Sequence, residues 1–569
     1  MTAAGRVTPH LVATAATVLH LASLVGAGAL LLWLNRNQWF FGDEWDFLAS
    51  RRSGFGRTLF APHNEHWSTI PILVYRVLYG VFGLRSYVPY VAVLILVHLA
   101  GVHLVWRLMR RAGVAPLVAT ALASVFAVLG AGSENLLWAF QIGFVGSLTL
   151  GLLHLLLVDH DGPFDRRDRQ AWAVAVAALL FSGMSVTMVI VSGLVVLLRR
   201  GPKDALKTVA LPGAVYLLWL VAIGYEGLGR DGGGVEAVLK LPAYLWTGLT
   251  SALERSSGIP GAGAVLVLVV LASLFRVGPV VSRPAGLSVG MAAGAACLFV
   301  VTGMGRSISD IGAQQATAGR YTYAAVALLL PALGLLLSEL AGRRPARQAT
   351  LCAALILPLV HNLDLLRAAS HAEADREQTV RRQISAATAL IESGAPLVGM
   401  GWALDHAQPE PLYSSDLTLA ALQQLRREGT LPADVPVGER DQLAAAAALQ
   451  VAVTDTEPTT GGPLPVLSGA GSTVDAAGCA ALGASAAADL VFDDPGSVIL
   501  RSSAGGAMTV VVHSSTETAA TGPARTIALR ADSTQWLEVS LATVFTISAP
   551  AAGPMAVCGV RAPTEPAQG

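Results

Sequence analysis

Apolar runs of about 17 to 24 residues recur along the chain at 10–34, 87–109, 115–132, 136–158, 205–224, 260–277, 284–303, 321–341 and 347–366. Each approaches the length a helix needs to cross the ~30 Å hydrocarbon core of a bilayer. The segment 171–198 is apolar too, but Ser182-Gly183-Met184-Ser185 breaks it and arginines flank both ends (Arg166, Arg167, Arg169; Arg199, Arg200). It reads as a hairpin of two short helices rather than one span. The pattern predicts about eleven spans. Stretch 64–84 is interrupted by Tyr75, Arg76 and Tyr79 and followed by Arg85, as expected of an amphipathic helix lying at the interface.

From Arg367 the pattern changes. Residues 371–393 carry alternating charge at helical spacing, 420–427 reads as a helix, and 395–465 is rich in Pro, Gly and Asp. Beyond residue 488, Ala488-Asp489-Leu490-Val491-Phe492, Met508-Thr509-Val510-Val511-Val512 and Trp536-Leu537-Glu538-Val539-Ser540-Leu541 alternate as short strands between Gly, Pro and Ser clusters. The expected fold is a polytopic α-helical membrane protein with a C-terminal α/β to β-sandwich domain outside the membrane. Its divisions are a transmembrane domain at 1–366 with a first outer loop at 35–86, a mixed helical and loop region at 367–465, and a β-rich domain at 466–569.

Composition agrees: 53% of the 569 residues are hydrophobic and 13% charged, and the mean hydropathy is +0.58, too apolar for a soluble chain of this size. With 38 basic and 38 acidic residues the net charge is zero, which argues against a nucleic-acid partner. Arg6 and a long apolar core without a small-x-small cleavage site read as an uncleaved signal anchor. A cytoplasmic N-terminus places Arg107, Arg110 and Arg111, Arg166, Arg167 and Arg169, Arg199 and Arg200, Arg276 and Arg283, and Arg343, Arg344 and Arg347 on inside loops. The outside then receives the 35–86 loop, Glu134, the 225–258 and 304–319 loops and everything after residue 367. Cys479 and Cys558 fall in an oxidising compartment, where a disulfide between them is expected, while Cys297 and Cys352 lie within spans as packing residues.

Candidate chemistry gathers on the outer side. Gly42-Asp43-Glu44-Trp45-Asp46-Phe47 follows the first span. A carboxylate at a water–lipid boundary can deprotonate a hydroxyl or hold a divalent cation against a phosphate. Alternatively, Asp43 caps a short helix and Asp46 satisfies its dipole. Pro62-His63-Asn64-Glu65-His66-Trp67 offers two imidazoles and a carboxylate that can converge on a metal if the segment is helical, or hydrogen-bond a polar ligand. Asp43, Asp46 and His66 form the candidate ligand set for a divalent metal ion. Glu134 opens another span as a ligand or a helix cap, and Gln141 places an amide inside an apolar run, where it must find partners. Arg320, followed by Tyr321, can grip a lipid-linked phosphate or anchor to headgroups.

An acidic Asp43-Glu44-Trp45-Asp46 motif after the first span, an outer loop with an interfacial helix, many spans and a soluble outer C-terminal domain resemble the GT-C superfamily of membrane glycosyltransferases, especially its bacterial cell-envelope members. The resemblance implies transfer of a sugar from a polyprenyl-phosphate donor to an envelope glycan or lipid acceptor at the outer face of the bacterial plasma membrane. By that match Asp43 corresponds to the catalytic acid and Glu44 to the second acid often beside it. His63, Glu65, His66, Glu134, Gln141, Arg320 and Tyr321 have no universal counterpart there and stand as substrate-binding candidates on topology alone. Two other classes remain open: a lipid-linked glycan transporter or flippase, favoured by the break at Gly183, and a non-catalytic envelope assembly protein. No GxxxxGK[ST] loop occurs, which argues against ATP-driven chemistry.

Overall fold

The computed structural model describes residues 9–227, 234–276, 283–309, 311–342, 345–398, 417, 419–432, 435–458, 463–469, 473–514, 521–522 and 524–563. Arg343 and Arg344, and parts of the 225–258 loop and the 395–465 stretch, lie outside the described residues. Seven described helices are long and apolar enough to cross a bilayer, or eight if one bent pair counts as a span: Leu11–Asn37, Val88–Arg111, Ala139–Val158, Pro202–Ala222, Gly286–Arg306, Gly319–Ala341 and Arg347–Glu392, with the pair Gly234–Ser257 and Ala262–Leu274. Several apolar helices of this kind make a membrane-embedded protein.

The count falls below the expected eleven for local reasons. At 115–132 the helix is only Pro116–Ala127, because Gly130 packs so closely that a Cβ there would lie 2.1 Å from the Asn362 carbonyl oxygen. The chain instead turns through a short 3₁₀ segment, Gly130–Gly132. The region expected as the 225–258 loop contains the 24-residue helix Gly234–Ser257. Glu236 and Lys240 pair one turn apart at 2.7 Å along one edge of it. That helix is bent by 106° against Ala262–Leu274, so 260–277 is half of a broken pair. The 171–198 segment forms two short helices, Arg166–Leu179 and Met184–Arg200. Thr69–Phe82 is a 14-residue apolar helix, shorter than a span.

Two compact units emerge: the first comprises Met1–Gln38, Ser53–Leu78 and Tyr87–Ala374, the second Trp39–Arg52, Tyr79–Ser86 and Asp375–Gly569. The 37-residue helix Ile356–Glu392 runs across the expected boundary at 366. In the first unit the helices approach closely through glycine: Gly290 and Gly294 of Arg283–Arg306 face Val195 and Val191 of Met184–Arg200, and a Cβ on either would lie within 2.3 Å of a valine methyl. Such small-residue contacts supply packing where lipid removes the hydrophobic drive.

Among its described residues the second unit carries ten strands: β1 (Val451–Thr454), β2 (Val466–Ser468), β3 (Cys479–Leu482), β4 (Ala487–Phe492), β5 (Gly496–Ser502), β6 (Gly506–Val512), β7 (Arg525–Leu529), β8 (Ser533–Val539), β9 (Thr543–Ser548) and β10 (Met555–Cys558). They form two five-stranded sheets, ordered β1-β8-β5-β10-β3 and β2-β4-β9-β6-β7. Strict alternation sends Val498, Leu500, Leu537, Leu490, Phe545 and Val510 into the core, while Ser497 and Arg501 stay outside it. Cys479 and Cys558, directly opposed on β3 and β10 with Cα atoms 4.0 Å apart, form a disulfide that staples the edge strand.

Candidate functional site

The acidic motif belongs to the second unit. Trp39, Phe40 and Trp45 form a buried aromatic cluster there, and the Trp39 N–H donates to the Glu377 carboxylate at 2.7 Å. Gly42, at φ +57°, lets the chain turn in front of the acids. The turn then runs into a single π-helical turn, Asp46–Ser50. Glu44 is fully buried and its Oε2 accepts from the Phe41 N–H at 2.9 Å, so this acid closes the turn. Asp46 is nearly as buried and pairs with Arg51 at 2.8 Å. Asp43 is the partly exposed member of the three.

His63 and His66 do not share a helix face, which corrects the condition on which their convergence on a metal rested. They face each other across a tight turn, each N–H donating to the other's carbonyl at 2.9 Å, with Asn64 at φ +50°. Their rings pack edge-on against Phe140 and Phe144, 5.2 and 5.4 Å between centroids. Of the expected metal set, Asp43 and Asp46 belong to the second unit and His66 to the first, and Asp46 is ion-paired with Arg51. Trp67 stacks flat on Trp219 and donates to Thr69.

The first unit brings most of the remaining candidates together. Glu134 leads the short helix Glu134–Leu137, and Arg320 stands at the start of Gly319–Ala341. The Arg320 Nη1 donates to Glu134 at 2.7 Å, its backbone N–H donates to the other carboxylate oxygen at 3.2 Å, and Gln141 Nε2 adds a third bond at 3.2 Å. Glu134 is therefore more than a helix cap. The guanidinium also lies 5.2 Å from the Tyr321 ring centroid, and the buried Tyr321 in turn meets Phe144. From the turn, Glu65 pairs with Arg306, the last residue of Arg283–Arg306. Burial alone would raise the Glu65 carboxyl, but His66 and Arg306 pull it below its ordinary value. Burial holds the His66 imidazole down to about 4, with Glu65 opposing and Arg306, His63 and Arg320 reinforcing.

Three polar atoms of this cluster are shielded and have no hydrogen-bond partner among the described residues: Gln141 Oε1, Asn135 Oδ1 and His66 Nδ1. Each is a group that water or a ligand must satisfy if it is not to remain costly. Gly183 packs against the same place, its Cβ position 3.1 Å from His66 Nδ1 and 3.8 Å from the Tyr216 hydroxyl. Arg306, Asn135 and Tyr216 escaped the sequence reading. Arg306 carried a signal, since like Arg320, which opens an apolar run, it borders one with a cation; Tyr216 carried none.

A second set of charges sits at the other ends of two of the same helices. Asp159 follows Ile142–Val158 and meets Arg111, at 2.7 Å, and Arg199. Asp168 accepts from Arg200 at 2.8 Å, His160 at 3.1 Å and the Asp165 N–H at 2.8 Å. His160, Asp165 and Asp168 have ligand atoms within 4.8 Å of one another, a spacing a cation can use. Arg200 and Arg167 already neutralise those two carboxylates, however, so the set is complete as an ion-pair network.

Compared with known protein families, curated proteins and solved structures, the chain matches none of them.

Proposed function

We propose that the protein is a membrane glycosyltransferase of the bacterial plasma membrane, taking a sugar from a polyprenyl-phosphate donor and passing it to an envelope glycan or lipid on the outer face. The observation that carries this reading is the first-unit cluster, in which Arg306 and Arg320 stand beside unsatisfied acceptors of Gln141 and Asn135 and the Nδ1 of His66. Guanidinium forks suit a phosphate. Buried amide oxygens suit sugar hydroxyls, which donate where phosphate cannot. The apolar helices around the cluster suit a polyprenyl tail. In the reaction the acceptor oxygen attacks the anomeric carbon, the bond from that carbon to the phosphate oxygen breaks, and the lipid phosphate leaves with the electron pair. The proton acceptor in this proposal is Asp43, on the separate ground of the resemblance of its motif and of its partial exposure, with no placement relative to the cluster implied.

The reading is tested by transfer from a polyprenyl-phosphate sugar with purified full-length protein in liposomes. Asp43→Asn is expected to lower the rate by about 10² to 10⁴ while the protein stays folded. Full activity in that variant would return the motif to a structural role. One observation favours a second reading, transport of a lipid-linked glycan: the pair Gly234–Ser257 and Ala262–Leu274, bent by 106°, resembles the discontinuous helices of transporters. Movement of the intact donor between leaflets, with no covalent product, would select it.

A further inference from the structure

The two arginine–carboxylate pairs of the cluster are built differently. Glu134 is fixed by three donors, two from Arg320 and one from Gln141, so its position and that of Arg320 are set together. Glu65 has one side-chain partner, Arg306, and sits at the tip of the two-residue turn between His63 and His66, outside any helix or sheet. Its side chain is 40% exposed and that of Arg306 27%. Arg306 lies at the last position of its helix, where the chain leaves regular structure. One pair is locked in place; the other can open by rotating a single exposed glutamate.

We infer that the Glu65–Arg306 pair is a displaceable latch, in which Glu65 occupies the Arg306 guanidinium until the phosphate of an anionic lipid replaces it. This deepens the proposed function and rests on it, because it needs the cluster to receive a phosphate. A phosphate is the stronger partner for the fork, since it brings more acceptor oxygens and at least as much charge as a carboxylate. The latch has a physical purpose. Without a ligand, Arg306 at the end of an apolar helix would face a partly desolvated site with no counter-charge, and Glu65 supplies one. The carboxyl is held below its ordinary value by His66 and Arg306, so it stays ionised and able to compete throughout the neutral range. Glu134 plays the opposite part: it orients Arg320 and does not leave.

The test is equilibrium binding of farnesyl phosphate to the full-length protein in detergent micelles, with farnesol as the uncharged control. Glu65→Gln removes the competitor and is expected to tighten binding roughly 2- to 5-fold, the size expected of a half-exposed ion pair. Glu65→Ala is expected to act the same way, which guards against a specific defect of the glutamine. Arg306→Gln is expected to weaken binding, and Glu134→Gln to weaken it or leave it unchanged, never to tighten it. Unchanged or weaker binding in both Glu65 variants, with Arg306→Gln still impaired, overturns the latch and leaves the phosphate site standing. Wild-type affinity in both Arg306→Gln and Arg320→Gln removes the phosphate site itself and the latch with it. Equal binding of farnesol and farnesyl phosphate does the same.

Discussion

The helices Ile142–Val158 and Met184–Arg200 each carry charged machinery at both ends, and the two ends differ in kind. At their C-terminal ends, Asp159 and Asp168 are fully buried and each is held by more than one donor, Arg111 with Arg199 in one case and Arg200 with His160 in the other. At their N-terminal ends, Gln141, His66 and Gly183 adjoin two pairs, Glu134–Arg320, to which Gln141 adds a bond, and Glu65–Arg306, and these side chains are 24% to 40% exposed where the buried carboxylates of the other end are not. Helices of 17 residues span about 25 Å, so the two charge sets lie far apart along the same scaffold. Carboxylates already neutralised by arginines have little capacity for a ligand and hold helix ends together, even though His160 Nδ1 there has no hydrogen-bond partner among the described residues. The pairs that leave acceptors unfilled are where a ligand can bind.

The comparison is broken most severely from the saturated end. Arg200→Met leaves Asp168, with no exposed carboxylate surface, without its arginine, and the expected cost is about 3 to 5 kcal/mol of folding stability. Denaturation of the purified protein in detergent checks this; a loss of ligand affinity without a loss of stability would mean that the two ends had been assigned the wrong way round. As a reference outside the helical unit, Cys479→Ser with Cys558→Ser opens a link across 79 residues. It is expected to cost about 2 to 5 kcal/mol, confined to the β domain and seen as earlier unfolding of its strands.

Finer changes sharpen the N-terminal end. Gly183→Ala puts a methyl 3.1 Å from the shielded His66 Nδ1. It should reduce farnesyl phosphate affinity on the order of tenfold with little change in unfolding temperature. The smallest effect concerns protons. Since burial lowers the His66 value from 6.5 to about 4, the unfolded chain binds more protons than the folded one between those limits. The His66 contribution to stability is therefore complete above pH 6.5 and declines as pH falls toward 4. A pH series from 7 to 5 should show a smaller drop for His66→Gln than for the wild type; equal drops would mean that His66 is not shielded.

Legibility in the sequence followed how local each cause was. Glu134, Gln141 and Arg320 stood out because a polar group in an apolar run has few bland explanations, and the structure gathers all three. Arg306 was passed over because its partner, Glu65, lies 241 positions away. The helix Gly234–Ser257 was read as part of an outer loop between the apolar runs 205–224 and 260–277, although Glu236 and Lys240 pair along one edge of it. At 115–132 the apolar run was real but its helix stops at Ala127, before the close contact of Gly130 with Asn362, a residue far along the chain. Alternation revealed β4, β6 and β8; short strands such as β2, with three residues, give no period to read. The helical spacing at 371–393 was legible, but its continuity with the preceding apolar run as one helix, Ile356–Glu392, was not, because the surface chemistry changes between them.

The most direct test of the contrast puts Arg320→Gln and Arg200→Gln through the same two measurements, farnesyl phosphate binding and thermal unfolding in detergent. The ligand-site assignment predicts that Arg320→Gln loses at least tenfold in affinity with a nearly unchanged unfolding temperature, while Arg200→Gln unfolds earlier but binds normally where folded. Wild-type binding in Arg320→Gln, or destabilisation of Arg320→Gln to the level of Arg200→Gln, would contradict it and make both ends of the scaffold structural.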